Sequence, residues 1–264
     1  MLWCGFGNFS AGANRRAVNQ TLKNPINVMN NNNSIDTAFD FRSDTPKGKD
    51  PDTWSPTLCR YHKLLWSKPL PKDGVFHLEY GKAPFYLRHS SGLGEFCLSS
   101  DTVIPTFKKH TIKDVPDDIK NFGGLGYTIG GMMLFPANQI QGKWTINQAR
   151  GCTREIRDRF DLTLECIRRH YSGGDSPLSE VFARYQDFFS LFRDFCGYVE
   201  FFLLQELITD DGEAVRFFTP FDDFKSSPVP DSRSAYFDYR ESAVEFLKAR
   251  NRRIRDWSEG NLAV

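Results

Sequence analysis

The sequence predicts an α+β fold, with a strand-rich N-terminal half packed on a helical C-terminal half in a single domain. Three observations carry that expectation. Between Val75 and Ile104 the runs VFHLEY, PFYLRHS and EFCLSSDTVI are short, rich in β-formers and separated by Gly and Asp. Beyond Gly151 the apolar residues change to the three-and-four spacing of helices. No internal repeat or long linker divides the chain, and strands followed by helices fit one layered domain.

Residues 1–34, Asn-rich and without periodicity, read as a flexible extension, so the domain is expected to span 35–264, strand-rich over 35–150 and helix-rich over 151–264. IDTAFDF, from Ile35, alternates like a short strand, and RSDTPKGKDPDTWSP is a loop by its Pro, Gly and Asp content. Leu58, Tyr61, Leu65 and Trp66 mark a short helix that Pro69 and Pro71 terminate. FGGLGYTIGGMMLF, over 122–135, reads as a strand whose glycines mark a bulge or a close backbone approach, closed by Pro136 and Asn138. Thr153 is the expected N-cap of a helix to about Tyr171, with Ile156, Phe160, Leu164, Ile167 and Tyr171 on one stripe. Ser176 and Pro177 open a second helix bearing Phe182, Phe188, Phe189, Phe192 and Phe195, which Gly197 ends or bends before GYVEFFLLQELI. AVRFFTPF reads as a further strand, and a last helix runs from about Ser234 to Trp257 with Arg250, Arg252, Arg253 and Arg255 at its C-terminal end.

Composition narrows the function classes. The chain has 264 residues, 40% hydrophobic, and 24 of them are Phe, so aromatic packing should dominate a sizeable core. A net charge of +1 gives no global field, and a nucleic-acid surface would have to be local. The six cysteines are scattered without the close pairs of zinc or redox motifs, which predicts free thiols, no metal and no cofactor. With no signal-like N-terminus and an apolar run, Tyr198 to Ile208, far short of the ~20 residues of a membrane span, a cytoplasmic location without a membrane partner is expected. GxSxG, HExxH and GxGxxG are absent.

Polar groups gather most densely between Tyr127 and Tyr171. KWTINQARG places Lys143, Asn147 and Arg150 at a helix entrance, where free N–H groups, Arg150 and Arg154 would favour a phosphate; the plainer reading has Asn147 and Gln148 satisfying loop backbone. Along the following helix Asp158, Asp161, Glu165, Arg168 and Arg169 meet across single turns, either as a solvated ion-paired face or as a held carboxylate, Glu165, able to act as a base. His62, near Lys63 and Lys68, is the candidate acid or base among the histidines, although a lone helical His is more often packed. The loop RSDTPKGKDPD holds Arg42, Asp44, Lys47, Lys49, Asp50 and Asp52; Arg42 is a further cation for phosphate, and the loop is either a position for binding or a lid or mixed charge that serves solubility. KARNRRIRDW, with Trp54, Trp66, Trp144 and Trp257 as stacking platforms, suits single-stranded nucleic acid or simply a helix end.

IDTAFDFRSDTPKGKDPDTWSPTL, YHKLLWSKPLP, LGEFCLSSD, TINQARG, DRFDLTLECIRRHY, FFLLQEL and VRFFTPFDDF together resemble a family of bacterial hypothetical proteins classed as a domain of unknown function, over Ile35 to Ile254. The resemblance implies a bacterial source and a cytoplasmic setting, and no activity. Two functions follow from the residues. One is an effector that binds, and processes, nucleic acid or a nucleotide through Arg42, Lys143, Asn147, Arg150, Arg154 and Asp161, with His62 and Glu165 as acid or base. The other is a non-catalytic protein whose Phe-rich helices leave an apolar groove for a protein partner or a homo-oligomer.

Overall fold

The computed structural model describes residues 34–107 and 119–262, which belong to one compact unit. The expected N-terminal extension lies outside these residues except for Ser34. The fold is α+β, with one four-stranded sheet in the N-terminal half and helices filling the C-terminal half.

Two short helices precede the sheet, and local caps explain both. In α1 (Pro51–Trp54) the Asp50 carboxylate accepts from the Asp52 N–H, and Pro51 occupies the first turn. In α2 (Pro56–Trp66) Ser55 caps the Leu58 N–H, while Asp44 accepts from the Ser55 hydroxyl at 2.6 Å and the Thr57 N–H at 3.0 Å. The charged loop before them is therefore partly capping machinery. Ile35 to Phe41 is not a strand. Asp36 and Asp40 turn their carboxylates onto the N–H groups of Ala38 and Arg42, and these local bonds give a 3-10 turn at Phe41–Ser43 instead.

The sheet has the order β1 (Glu79–Tyr80), β2 (Leu87–Ser91), β3 (Gly94–Thr102), β4 (Met132–Pro136), antiparallel throughout. Its centre is β3, with Leu98 opposite Leu87 and Pro136. The run at 122–135 holds three elements: α3 (Ile119–Gly126), a 3-10 turn at Ile129–Gly131, and the wholly buried β4. Its glycines do serve close approach, since a Cβ on Gly131 would lie 2.1 Å from the Gly126 carbonyl oxygen.

Thr153 does not start a helix but ends one. The segment expected to lead in is itself α4 (Ile146–Cys152), opened by a capping box between Thr145 and Gln148, and the Thr153 N–H closes it on the Ala149 oxygen at 2.8 Å. Arg157 and Asp158 then take left-handed backbone (φ 45° and 63°), and α5 (Phe160–Ser172) begins after the break. The single Phe-rich helix expected next is divided into α6 (Ser179–Arg184), α7 (Gln186–Ser190) and α8 (Phe195–Phe201). The division turns Phe182, Phe188, Phe189, Phe192, Phe201 and Phe202 all inward, into ring contacts of 5.0–5.5 Å. Gly197 lies inside α8, where a Cβ would meet the Phe192 oxygen at 2.1 Å. Among the described residues, the large apolar side chains left exposed are Val75, Tyr80, Tyr86, Leu93 and Trp144.

AVRFFTPF contributes one isolated bridge, Val215 with Ile208, rather than a strand. Pro220 cannot donate to a ladder, and the Phe218 N–H goes to the Asp161 carboxylate at 2.9 Å. The chain closes with the 30-residue α9 (Arg233–Leu262), which packs on α3 and the Ile129–Gly131 turn. Because the Gly126–Gly131 approach sets the entry into β4, Gly131→Ala is expected to cost about 2 kcal/mol or more in urea unfolding. An unchanged midpoint would contradict that close packing.

Candidate functional site

Alternation along β3 separates two polar networks. Ser100 points to one face, where its hydroxyl lies 2.9 Å from His62 Nε2, and His62 Nδ1 accepts from the Trp66 indole at 3.0 Å. Indole nitrogen only donates, so the His62 proton sits on Nε2 and is given to Ser100. Burial, reinforced by the charge of Arg250, pushes the His62 pKa down to about 3. The imidazole is thus a neutral, fully buried cross-tie between α2 and β3.

Ser99 and Asp101 point to the other face, onto α4, where residues three apart meet strand residues two apart. Asn147 Nδ2 donates to the Ser99 hydroxyl at 3.3 Å, and Arg150 Nη1 to Asp101 at 2.5 Å. Arg150 is fully buried. Its Nε donates to Thr163 at 3.1 Å and its Nη2 to the Asp158 carbonyl at 2.9 Å, and its guanidinium lies over the Phe135 ring. Gly151 leaves room for the Asp158 carboxylate, whose oxygens would stand 3.2 and 3.3 Å from a Cβ there.

Asp52, from the first turn of α1, reaches the end of β3 and accepts from the Thr102 N–H, while its Oδ1 is shut off from solvent without a hydrogen-bond partner. Burial, together with the charges of Asp101 and Asp50, raises the Asp52 pKa to about 8. Asp101 goes up to about 6, again by burial and by Asp158 and Asp50, with Arg150 pulling the other way. A fifth of its side chain remains exposed. Tyr127 completes the neighbourhood: burial and the charges of Asp52 and Asp50 raise its phenol, and the Arg42 guanidinium covers its ring at 5.0 Å. Near neutrality one carboxyl of this group carries a proton and its neighbour does not, the arrangement from which an acid and a base are made. Asn147 Oδ1 is also buried without a partner.

The expected site residues separate. Arg42 and Arg150 share this neighbourhood through Tyr127 and Asp52, and Asn147 lies on its α4 side. Arg42 is engaged by the Asp40 carboxylate, and Arg150 is consumed by internal acceptors. The Gln148 side chain accepts from the Thr145 N–H at 3.0 Å, while Lys143 and Arg154 are exposed. Asp161 is buried elsewhere, gripped by Arg159 through two hydrogen bonds and by the Phe218 N–H. Glu165 is buried too. Desolvation works against its charge, but hydrogen bonds from Arg168 and Arg169, all at 2.8 Å, hold its carboxyl below the usual value. Of the C-terminal basic residues, Arg250 is fully buried, so it does not serve the helix end. It donates to the carbonyls of Gly130, Met132 and Phe202 at 3.0–3.1 Å. Trp66 is buried, Trp54 and Trp257 are half-buried, and Trp144 is exposed. Among the described residues no group of three His, Cys, Asp or Glu side chains is arranged to hold a metal ion, and no helix is long and apolar enough to cross a membrane.

Residues 35–254 match a family described as a family of unknown function, DUF6994. The chain belongs to that family. No curated protein and no solved structure matches it. Asp52, Asp101, Asp158 and Tyr127 therefore stand together on the structure alone: the sequence offers Asp52 in the charged loop and Asp158 among the carboxylates before the helix, but as parts of separate candidates, and it singles out neither Asp101 nor Tyr127. The one signal available was Asp101 following Ser99 at strand spacing, on a face with no visible partner.

Two expectations follow. The Asp52 carboxyl is ordinarily near 3.8 and about 8 in the fold, so between those values the folded chain keeps a proton that the unfolded chain has lost. This group therefore lowers stability as pH rises across that window. Asp52→Asn should raise Tm at pH 8, by roughly 2–4 °C per kcal/mol recovered, with the gain fading toward pH 4. A gain independent of pH would refute the protonation argument. For His62 the sign reverses. The unfolded chain binds a proton below about 6.5 that the folded chain refuses until about 3, so stability falls with acidification, and the His62 ring resonances should stay unshifted from pH 8 to 5.

Proposed function

We propose that this protein is an acid–base hydrolase of glycosidic bonds, with Asp52 as proton donor to the leaving group and Asp101 as the carboxylate facing the developing positive charge. What carries the reading is the pair itself: Asp52, which burial and its neighbouring carboxylates raise to about 8, next to the end of β3, where Asp101, a fifth exposed, is held in place by buried Arg150. A neighbourhood containing Asp50, Asp101 and Asp158 favours a transition state that gains positive charge. The same carboxylates oppose an anionic phosphoryl transition state. Within the nucleotide class anticipated from sequence, the fitting bond is the N-glycosidic one, whose base departs after protonation; exposed Lys143 and Arg154 are the cations left for an attached phosphate. We place the reaction in a reducing bacterial cytoplasm, in keeping with free thiols at Cys59, Cys97, Cys152, Cys166 and Cys196.

The test joins spectroscopy to turnover. Infrared difference spectra of wild type against Asp52→Asn should show a protonated carboxyl at pH 7 that ionises near pH 8. A panel of nucleosides, nucleotides and nitrophenyl glycosides should show hydrolysis with a bell-shaped pH profile between about 6 and 8. Asp52→Asn should lose about 10²-fold or more on leaving groups that need a proton and far less on nitrophenol, which does not. Asp101→Asn should lose both. An ionised Asp52 at pH 7, or an inert panel, would overturn the reading.

A further inference from the structure

A second displaced ionisable group lies on the far side of the core. Lys68 follows the C-terminus of α2, and its ammonium position is enclosed by three rings: Trp257 of α9 at 4.6 Å, Phe201 of α8 at 4.8 Å and Trp66 of α2 at 5.0 Å. Among the described residues no carboxylate pairs with it. The charged group acting on it is another cation, the buried Arg250 of α9, which among the described residues also pairs with no carboxylate and is held by backbone carbonyls and the Met133 sulfur. His62 of α2 is neutral and adds no anion. Enclosure by apolar walls next to a second cation is the environment that turns a lysine into a nucleophile. The ring faces attract an ammonium and pull the other way. Burial, with Arg250, brings the Lys68 pKa down to about 7.

Beyond Trp257 opens a groove of about 570 Å³ that includes Leu203, Ala249, Glu206, Arg252 and Asp256. The groove carries both signs of charge, with Glu206 bound to Arg253 and with Glu200, Arg252 and Asp256 also in its lining, and Trp257 is the side chain it shares with the cage. We propose that Lys68 is a modification site, the amine of this protein that acyl phosphates acylate ahead of the surface lysines. The Nζ lone pair attacks the acyl carbon, the carbon–oxygen bond to phosphorus breaks with its electron pair leaving on phosphate, and the surplus ammonium proton passes to water. The product is an amide without charge, which removes the unpaired cation from beside Arg250 and lays an acyl group against the rings.

The experiment is brief exposure of the full-length protein to substoichiometric acetyl phosphate at pH 7, followed by peptide mass spectrometry of site occupancy, with exposed Lys72 and Lys82 as internal references. Lys68 should acetylate about tenfold or more faster than either, because an ordinary lysine near 10.4 is almost wholly protonated at that pH. Its rate should level off above pH 8 while theirs continues to climb. Trp257→Ala, at a half-buried position, opens the cage to water and should bring the Lys68 rate toward that of Lys72, with circular dichroism confirming the fold. Equal rates at the three lysines in wild type, or an undiminished preference in folded Trp257→Ala, would overturn the assignment.

Discussion

A guanidinium that water cannot reach must be met by acceptors on every side, and the placement of Arg150 organises the centre of this molecule. Its three nitrogens reach Asp101 at the C-terminal end of β3, Thr163 in the first turn of α5 and the carbonyl of Asp158 in the break between α4 and α5. Each acceptor comes from a different element, so α4, β3 and α5 have one mutual arrangement in which the cation is satisfied. The left-handed residues Arg157 and Asp158 are part of that arrangement, since they turn the Asp158 carbonyl back toward the side chain while its N–H bonds the Arg150 carbonyl at 3.1 Å. Replacing one partner would leave a buried charge or a buried acceptor unmet, which costs more than the net worth of the pair.

The chain's polar chemistry is set by how these buried cations are neutralised. Around Arg150 the anion is Asp101, and it is shared: Asp50, Asp52 and Asp158 crowd the same charge and only Asp101 is bonded to it directly. A further carboxylate there gains little from the guanidinium and loses its hydration, so Asp52 keeps its proton.

Much of the fold was legible because local signals and tertiary packing agree there. The helix carrying Leu58, Tyr61, Leu65 and Trp66, the β2–β3 pairing and the start of α9 follow from turn chemistry and periodicity within a few residues, whereas α1 lies inside the segment whose Pro, Gly and Asp content reads as a loop. The misread elements share a cause. Thr153 has the chemistry of an N-cap, but Thr145 with Gln148 makes a reciprocal cap eight residues earlier, and the two helices are then separated by a break that Arg150 stabilises. The Phe stripe after Ser176 has helical spacing, yet one straight helix shows the core a single face, and the breaks at Tyr185 and Phe192–Asp194 let neighbouring rings all point inward. The candidate site was less legible still. Arg150 looked like a ligand group because sequence shows its charge and not its burial, whereas Asp52 and Asp101, far apart along the chain, become one pair only when α1 is laid against the end of β3.

Arg250 shows the opposite solution to the same problem. It is met by carbonyl dipoles and the Met133 sulfur, so its charge is spread but not cancelled, and its own pKa falls to about 9 through burial. The neighbouring groups respond according to sign. His62 stays neutral and ties α2 to β3, and Lys68 sits near its midpoint inside an aromatic cage. A carboxylate placed among them would remove both effects and firm up the core, much as Asp101 does for Arg150. Among the described residues none is placed there, and the amine has the three rings around it instead. One fold thus holds a carboxyl that keeps its proton beside a neutralised arginine and an amine that sheds its proton beside one that is not, and the two depend on separate contacts, since Arg150 joins α4 to β3 while Arg250 joins α9 to the turn before β4.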